Sequence, residues 1–126
     1  MGVRAMTKYM ILFDAHAMDH IPEEEVPAVA EAAHAVCGEA IEAGVYLLAG
    51  GLEDEPASMV AADGTVTDGP PPDAVGGVMI VEVPSREEAL KWAAKVAAAC
   101  RCTQEVREIG FDPELEAMLR EAPGRR

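Results

Sequence analysis

The sequence predicts an α+β sandwich, and three observations carry that prediction. Three compact apolar runs have the length of strands. Two segments repeat their apolar residues at the helical period of 3.6. A turn signature, Asp63-Gly64, sits between two short β-prone pieces. A chain of 126 residues fits one domain and can bury a modest core. Aromatic residues are only 4% of it, so Ala, Val, Leu, Ile and Met must fill that core.

The elements follow in order. Lys8–Phe13 (KYMILF) reads as a strand stopped by turn-forming Asp14. Ala15–Pro22 reads as a loop rich in His, Asp and Met. Glu23–Ala43 reads as a helix, with Glu23, Glu24 and Glu25 complementing the dipole of its first turn. Pro27 is tolerated only near such a start. Val26, Val29, Ala30, Ala33, Cys37, Ala40 and Ile41 form its apolar face, and Gly44 supplies the C′ position. Val45–Leu52 is a second strand, in which Gly50-Gly51 permits a bulge or a close backbone approach. Ser58–Ala62 and Thr65–Thr67 flank Asp63-Gly64 as a type I′ hairpin. Asp68-Gly69-Pro70-Pro71-Pro72 is a stiff loop, because three prolines cannot enter a central strand. Gly77–Val83 is a third core strand. Ser85 and Glu88 have the spacing of a capping box for a helix running to about Cys100, with Ala89, Leu90, Ala93, Val96, Ala97 and Cys100 on its apolar face. Thr103–Ile109 is the last strand. Pro113–Arg120 is a short helix striped with Leu115, Met118 and Leu119, and Gly124-Arg125-Arg126 reads as a frayed tail.

Two split β-α-β units make this order a ferredoxin-like sandwich with an inserted β-hairpin. Tyr9–Phe13, Val45–Leu48 and Val78–Val81 are apolar on both faces, whereas a half-wet antiparallel sheet alternates apolar and polar residues. Two helices can cover one face only. Part of the other face is within reach of the C-terminal helix. A second copy, packed sheet against sheet, is the more economical cover, and the pattern predicts a homodimer through the open sheet face.

Composition excludes several functions. Lys plus Arg is 10 and Asp plus Glu is 23, a formal charge of −13, which argues against nucleic acid and against anionic membrane surfaces. Met1–Met6 lacks the apolar core of a secretory leader, Met6 stands where a myristoylation signal needs Ser or Thr, and no run is long enough to span a bilayer. Three unevenly spaced cysteines, Cys37, Cys100 and Cys102, read as reduced thiols rather than a disulfide framework. These features predict a cytoplasmic protein whose acidic surface serves solubility. Cys100-x-Cys102 lacks zinc-knuckle spacing, and Cys37 reads as a small core residue.

A few residues can carry chemistry. His34 falls at the flank of the first helix's apolar face, where it is either a half-buried histidine bonded to a carbonyl or a general base at a cleft edge, since imidazole titrates near neutral pH. Asp68 is either turn chemistry or a carboxylate held on a stiff loop to orient an imidazole. Glu82, Glu105 and Arg107 could line a polar patch on the sheet or simply form ion pairs. Together with Gly50 and Gly69 they are the candidate pocket residues. Asp14, His16, Asp19 and His20 hold metal-ligand types but read as a solvated loop, so no metal is assigned. No phosphate loop, serine elbow or HExxH motif occurs, and no cofactor is expected. Trp92 reads as core or interface packing.

Several segments look familiar together. Thr7-Lys8-Tyr9-Met10-Ile11-Leu12, Leu48-Ala49-Gly50-Gly51-Leu52, Val66-Thr67-Asp68-Gly69-Pro70, Gly76-Gly77 with Ile80-Val81-Glu82-Val83, Glu88-Ala89-Leu90-Lys91-Trp92-Ala93 and Val106-Arg107-Glu108-Ile109 resemble, in order and spacing, the YCII-related or DGPF-domain proteins. Pro71 stands where the namesake motif has Phe. The segment leading to Gly76-Gly77 is shorter than usual. Ala99-Cys100-Arg101-Cys102 lacks the family's Asp-Pro-aromatic segment. The resemblance implies a YCII-related domain over residues 7–110 followed by a C-terminal helix and tail over 111–126. It also implies a dimeric α/β-barrel-like assembly with a cleft near the sheet, and an acid–base enzyme using a His and an Asp on a small organic molecule. Asp68 matches the motif's Asp directly. His34 matches the helix histidine of some members when one residue is dropped before Gly44. Two alternatives stand beside this: a non-catalytic ligand-binding or accessory dimer, and a cofactor-free monooxygenase or isomerase of the dimeric α/β-barrel type, with Trp92 or His34 as polar handle.

Overall fold

A computed structural model describes residues 6–53, 56–71 and 73–124. The readings made above for Met1–Ala5, Pro72 and Arg125-Arg126 lie outside the described residues.

Four strands form one antiparallel sheet: β1 (Thr7–Asp14), β2 (Tyr46–Gly51), β5 (Val75–Val83) and β6 (Glu105–Glu108), in the order β2-β5-β1-β6. The helices α1 (Val26–Glu42) and α2 (Arg86–Cys100) each connect a pair of core strands, so the fold is the α+β ferredoxin-like sandwich. Strands β3 (Ser58–Val60) and β4 (Val66–Asp68) pair only with each other, as the inserted hairpin. A short helix, α3 (Pro113–Glu121), follows β6.

Strand alternation decides which side is core. Tyr9 and Ile11 of β1 and Met79, Val81 and Val83 of β5 are buried with Ala40 of α1 and Ala89 and Ala93 of α2. Both long helices therefore cover the same face of the sheet. Val106 packs against this core, which places Gln104 and Val106 on the helix side of the β6 segment and Glu105 and Arg107 on the other. Met10, Leu12, Val78 and Ile80 face away from the helices and are half-buried. On that side Lys8 Nζ meets Glu116 of α3 at 3.4 Å, while Leu115, Met118 and Leu119 of α3 stay exposed.

Local signals explain the boundaries. Ser85 Oγ accepts the amide of Glu88 at 3.2 Å and Asp112 Oδ1 that of Leu115 at 3.0 Å, each an N-cap. The α1 terminus is a Schellman motif: Gly44 has φ 77°, its amide bonds the carbonyl of Ile41, and that of Val45 bonds Ala40. Arg101 takes the corresponding left-handed place after α2, at φ 59°.

Four expectations change. The acidic triplet forms a separate 3₁₀ turn (Glu23–Glu25) ahead of α1, because Pro27 has no amide hydrogen to give. The buried stripe of α1 is Val29, Val36 and Ala40, whereas Val26 and Ile41 are exposed. The bulge in β2 falls between Tyr46 and Leu48 rather than at Gly50-Gly51. The hairpin turn is not type I′, since of its turn residues only Gly64 has positive φ (92°). The Gly64 amide bonds the Ala61 carbonyl, which makes a type I turn closed by a left-handed glycine. Asp63 Oδ1 accepts the Thr65 amide at 2.9 Å, and that bond holds the Asp63 carboxyl below its ordinary value.

Candidate functional site

A cleft of ≈ 420 Å³ opens between α1, the end of α2 and the helix-facing side of the sheet. This lies within the 300–1,000 Å³ of ordinary small-molecule sites. Ile11, Val36, Met79 and Cys100 form its buried floor, and His34, Gly50 and Gly51 its exposed rim. Phe13, Tyr46 and Val96 contribute further apolar wall, while Ala33, Ala49 and the two glycines keep it from filling with side chains.

The helical period explains how α1 serves the cleft. Ala33, Val36 and Cys37 point inward, and His34 stands one residue further round. It is exposed rather than half-buried, yet its side chain borders the opening. Gly77 makes room for the ring of Phe13, which lines the cleft. Gly77 pairs with Phe13, and Gly76 is the extra residue where the β1–β5 register shifts.

The cleft carries no formal charge in its walls: among the described lining residues none is Asp, Glu, Lys or Arg. Its polar groups are His34, Tyr46, Gln104 and the thiols of Cys37 and Cys100. Burial pushes the Cys37 thiol up. Burial, and then the neighbouring Cys102 and Cys37 thiols, push up that of Cys100. Cys102 is also raised by burial, partly offset by a hydrogen bond from Gln104. Neutral thiols are poor nucleophiles, so these side chains serve as polarizable wall.

The candidate residues separate. His34 and Gly50 meet at the cleft. Asp68 and Gly69 close the exposed hairpin, where Asp68 Oδ1 accepts from Ser58 Oγ at 3.3 Å and the Gly69 amide bonds the Ala57 carbonyl. Neither lines the cleft with His34. Glu82, Glu105 and Arg107 share the other face of the sheet. Arg107 Nε lies 3.9 Å from Glu105, both exposed, and Glu82 stands opposite Lys8. Glu105 also borders a shallower depression of ≈ 360 Å³ with Asp14 and Asp73. His16 Nδ1 pairs with Asp19 at 3.0 Å and its amide donates to Asp14, a local network on an exposed loop. Trp92 packs against the core under Lys95, whose ammonium lies 5.9 Å from its ring centroid.

Sequence reasoning missed Gln104, Phe13 and the cysteines as cleft residues. A signal existed for Gln104, because strand alternation puts it on the side of Val106, and once Val106 is known to face the helices Gln104 must too. Cys37 was legible as an inward residue, but not as the wall of a void.

An all-antiparallel ferredoxin-like sandwich with one apolar, uncharged cleft between helices and sheet defines the class: a small α+β protein holding a ligand-sized cavity. The chain belongs to the YCII-related domain family, whose model matches residues 7–110. A search of curated proteins finds no match. No helix among the described residues is long and apolar enough to cross a membrane.

Proposed function

We propose that this YCII-related protein binds a small organic molecule in the cleft and moves a proton on it, with His34 as the base. The observation that carries the reading is the position of His34, an imidazole at the rim of a ligand-sized apolar cavity. Imidazole is the side chain suited to proton transfer near neutral pH, and an apolar surround strengthens any polar contact made there. Asp68, bonded to Ser58 on the hairpin and away from the cleft lining, has no part in this reading.

A homodimer is part of this reading. It is supported by the half-buried apolar row Met10, Leu12, Val78 and Ile80 on the side of the sheet away from both helices. Exposed Leu47 and Leu48 on edge strand β2, and Met59, Val60 and Val66 on the hairpin, add apolar surface for a second copy to cover.

A second reading, a non-catalytic binding protein, is favoured by the lack of a carboxylate to orient His34 among the described lining residues. One experiment separates them. 2-Indanone is a small neutral carbon acid, and its α-hydrogens exchange with deuterium oxide at a rate that NMR follows directly. Acid–base catalysis predicts faster exchange with the protein, lost by at least ~100-fold in His34→Ala. Binding without faster exchange supports the second reading, and no binding overturns both.

A further inference from the structure

One residue of the cleft lining carries a buried acceptor with no donor. Gln104 lines it, and its Oε1 is buried without a hydrogen-bond partner among the described residues. The amide's orientation is fixed by its other end, because Nε2 lies 3.4 Å from the backbone carbonyl of Cys102. A carbonyl only accepts, so the nitrogen must face it and the oxygen must face away. The remaining Nε2 contact is to Cys102 Sγ at 3.5 Å, an ordinary length for a sulfur acceptor. The bond to the carbonyl is long, and the terminal torsion lies in a broad well, so rotation about it can turn the oxygen toward a ligand.

We infer that Gln104 selects the ligand: the cleft takes an uncharged, largely apolar molecule that donates one hydrogen bond, through N–H or O–H, to Gln104 Oε1. This deepens the proposed function and rests on the reading that the cleft binds a small organic molecule. Three observations converge on it. The unpartnered oxygen asks for a donor, since a buried acceptor left unmade is unfavourable and a ligand that satisfies it gains what the free protein lacks. The walls offer no cation to hold a carboxylate or phosphate. The chain's charge of −13 repels anions approaching the rim.

The test uses three probes of one shape on the full chain: indole, 1-methylindole and indole-3-carboxylate. Indole donates through N–H, its methyl derivative cannot, and the third is an anion. Binding is followed by amide shifts at His34, Cys37 and Gly50. The expected result is indole bound about tenfold more tightly than 1-methylindole, with the carboxylate weakest. Gln104→Met keeps the length and removes the amide. It should erase the preference for indole over 1-methylindole and raise the melting temperature of the free protein, since the orphan acceptor is gone. Equal affinity of indole and 1-methylindole, with shifts at the cleft, overturns this inference and leaves the cleft reading intact. The carboxylate binding as tightly as indole overturns the claim of a neutral ligand. No shift at the cleft with any probe overturns the underlying reading and this inference with it.

Discussion

Gly77 stands opposite Phe13 in the β1–β5 ladder, and the ring lies so close over it that a Cβ there would fall 2.6 Å from Phe13 Cζ. The glycine is thus the space in which a cleft-wall aromatic sits. Gly77→Ala must displace that ring and should destabilise the protein by ~1–3 kcal/mol. At Gly76 the obstruction is backbone, Ala15 Cα at 2.8 Å and the Asp14 carbonyl at 2.9 Å, which cannot swing aside. Gly76→Ala should therefore be the more damaging of the two. Urea midpoints of both variants check the order. A Gly76→Ala midpoint at or above that of Gly77→Ala would refute it.

Arg101 closes α2 in the left-handed region at φ 59°, a place usually given to glycine, and its guanidinium pairs with Glu25 ahead of α1. Both partners are partly exposed, so the pair contributes only ~0.2–1 kcal/mol. Arg101→Ala loses the pair and keeps the unfavourable backbone. Arg101→Gly loses the pair and relieves the backbone. The glycine variant should be more stable than the alanine variant by ~1 kcal/mol in thermal unfolding.

The thiols make stability pH-dependent. Burial raises Cys37, Cys100 and Cys102 above the ordinary thiol range, so the unfolded chain ionises first as pH increases. Their contribution is full below the unfolded thiol pKa of ~8.5 and is lost as pH rises through the folded values. The urea midpoint should fall between pH 8 and pH 10. It should fall less steeply in a variant with all three cysteines changed to Ala. Equal slopes would contradict this origin.

Much of this was legible in the residues, and the losses have physical causes. The strand and helix order, the Ser85 cap and the Gly44 terminus rest on local chemistry, and each stands in the structure. The α1 face was misjudged where periodicity alone could not choose between Val36 and Val26, because burial there depends on where the sheet ends. The Asp63-Gly64 pair signalled a hairpin correctly, but the turn type follows from Ala61 and Thr65, which set the loop one residue longer. Asp68 and His34 sit on separate elements, and no spacing rule conveys that the hairpin pairs only with itself, apart from the main sheet. A cavity is an absence of side chains, which a sequence does not spell out.

The proposed dimer makes its own prediction. Ile80 lies on the side of the sheet away from the helices, so Ile80→Glu should leave the fold intact and halve the mass measured by light scattering. Wild-type chains at one protomer's mass would contradict the dimer.

In the proposed function, the cleft beside His34 is where this protein meets its ligand. Mapping the amide shifts caused by 2-indanone on the uniformly ¹⁵N-labelled chain tests it most directly. Saturable shifts are expected to cluster at His34, Cys37, Gly50 and Cys100. Shifts gathered instead at the hairpin or on the outer face of the sheet would contradict it.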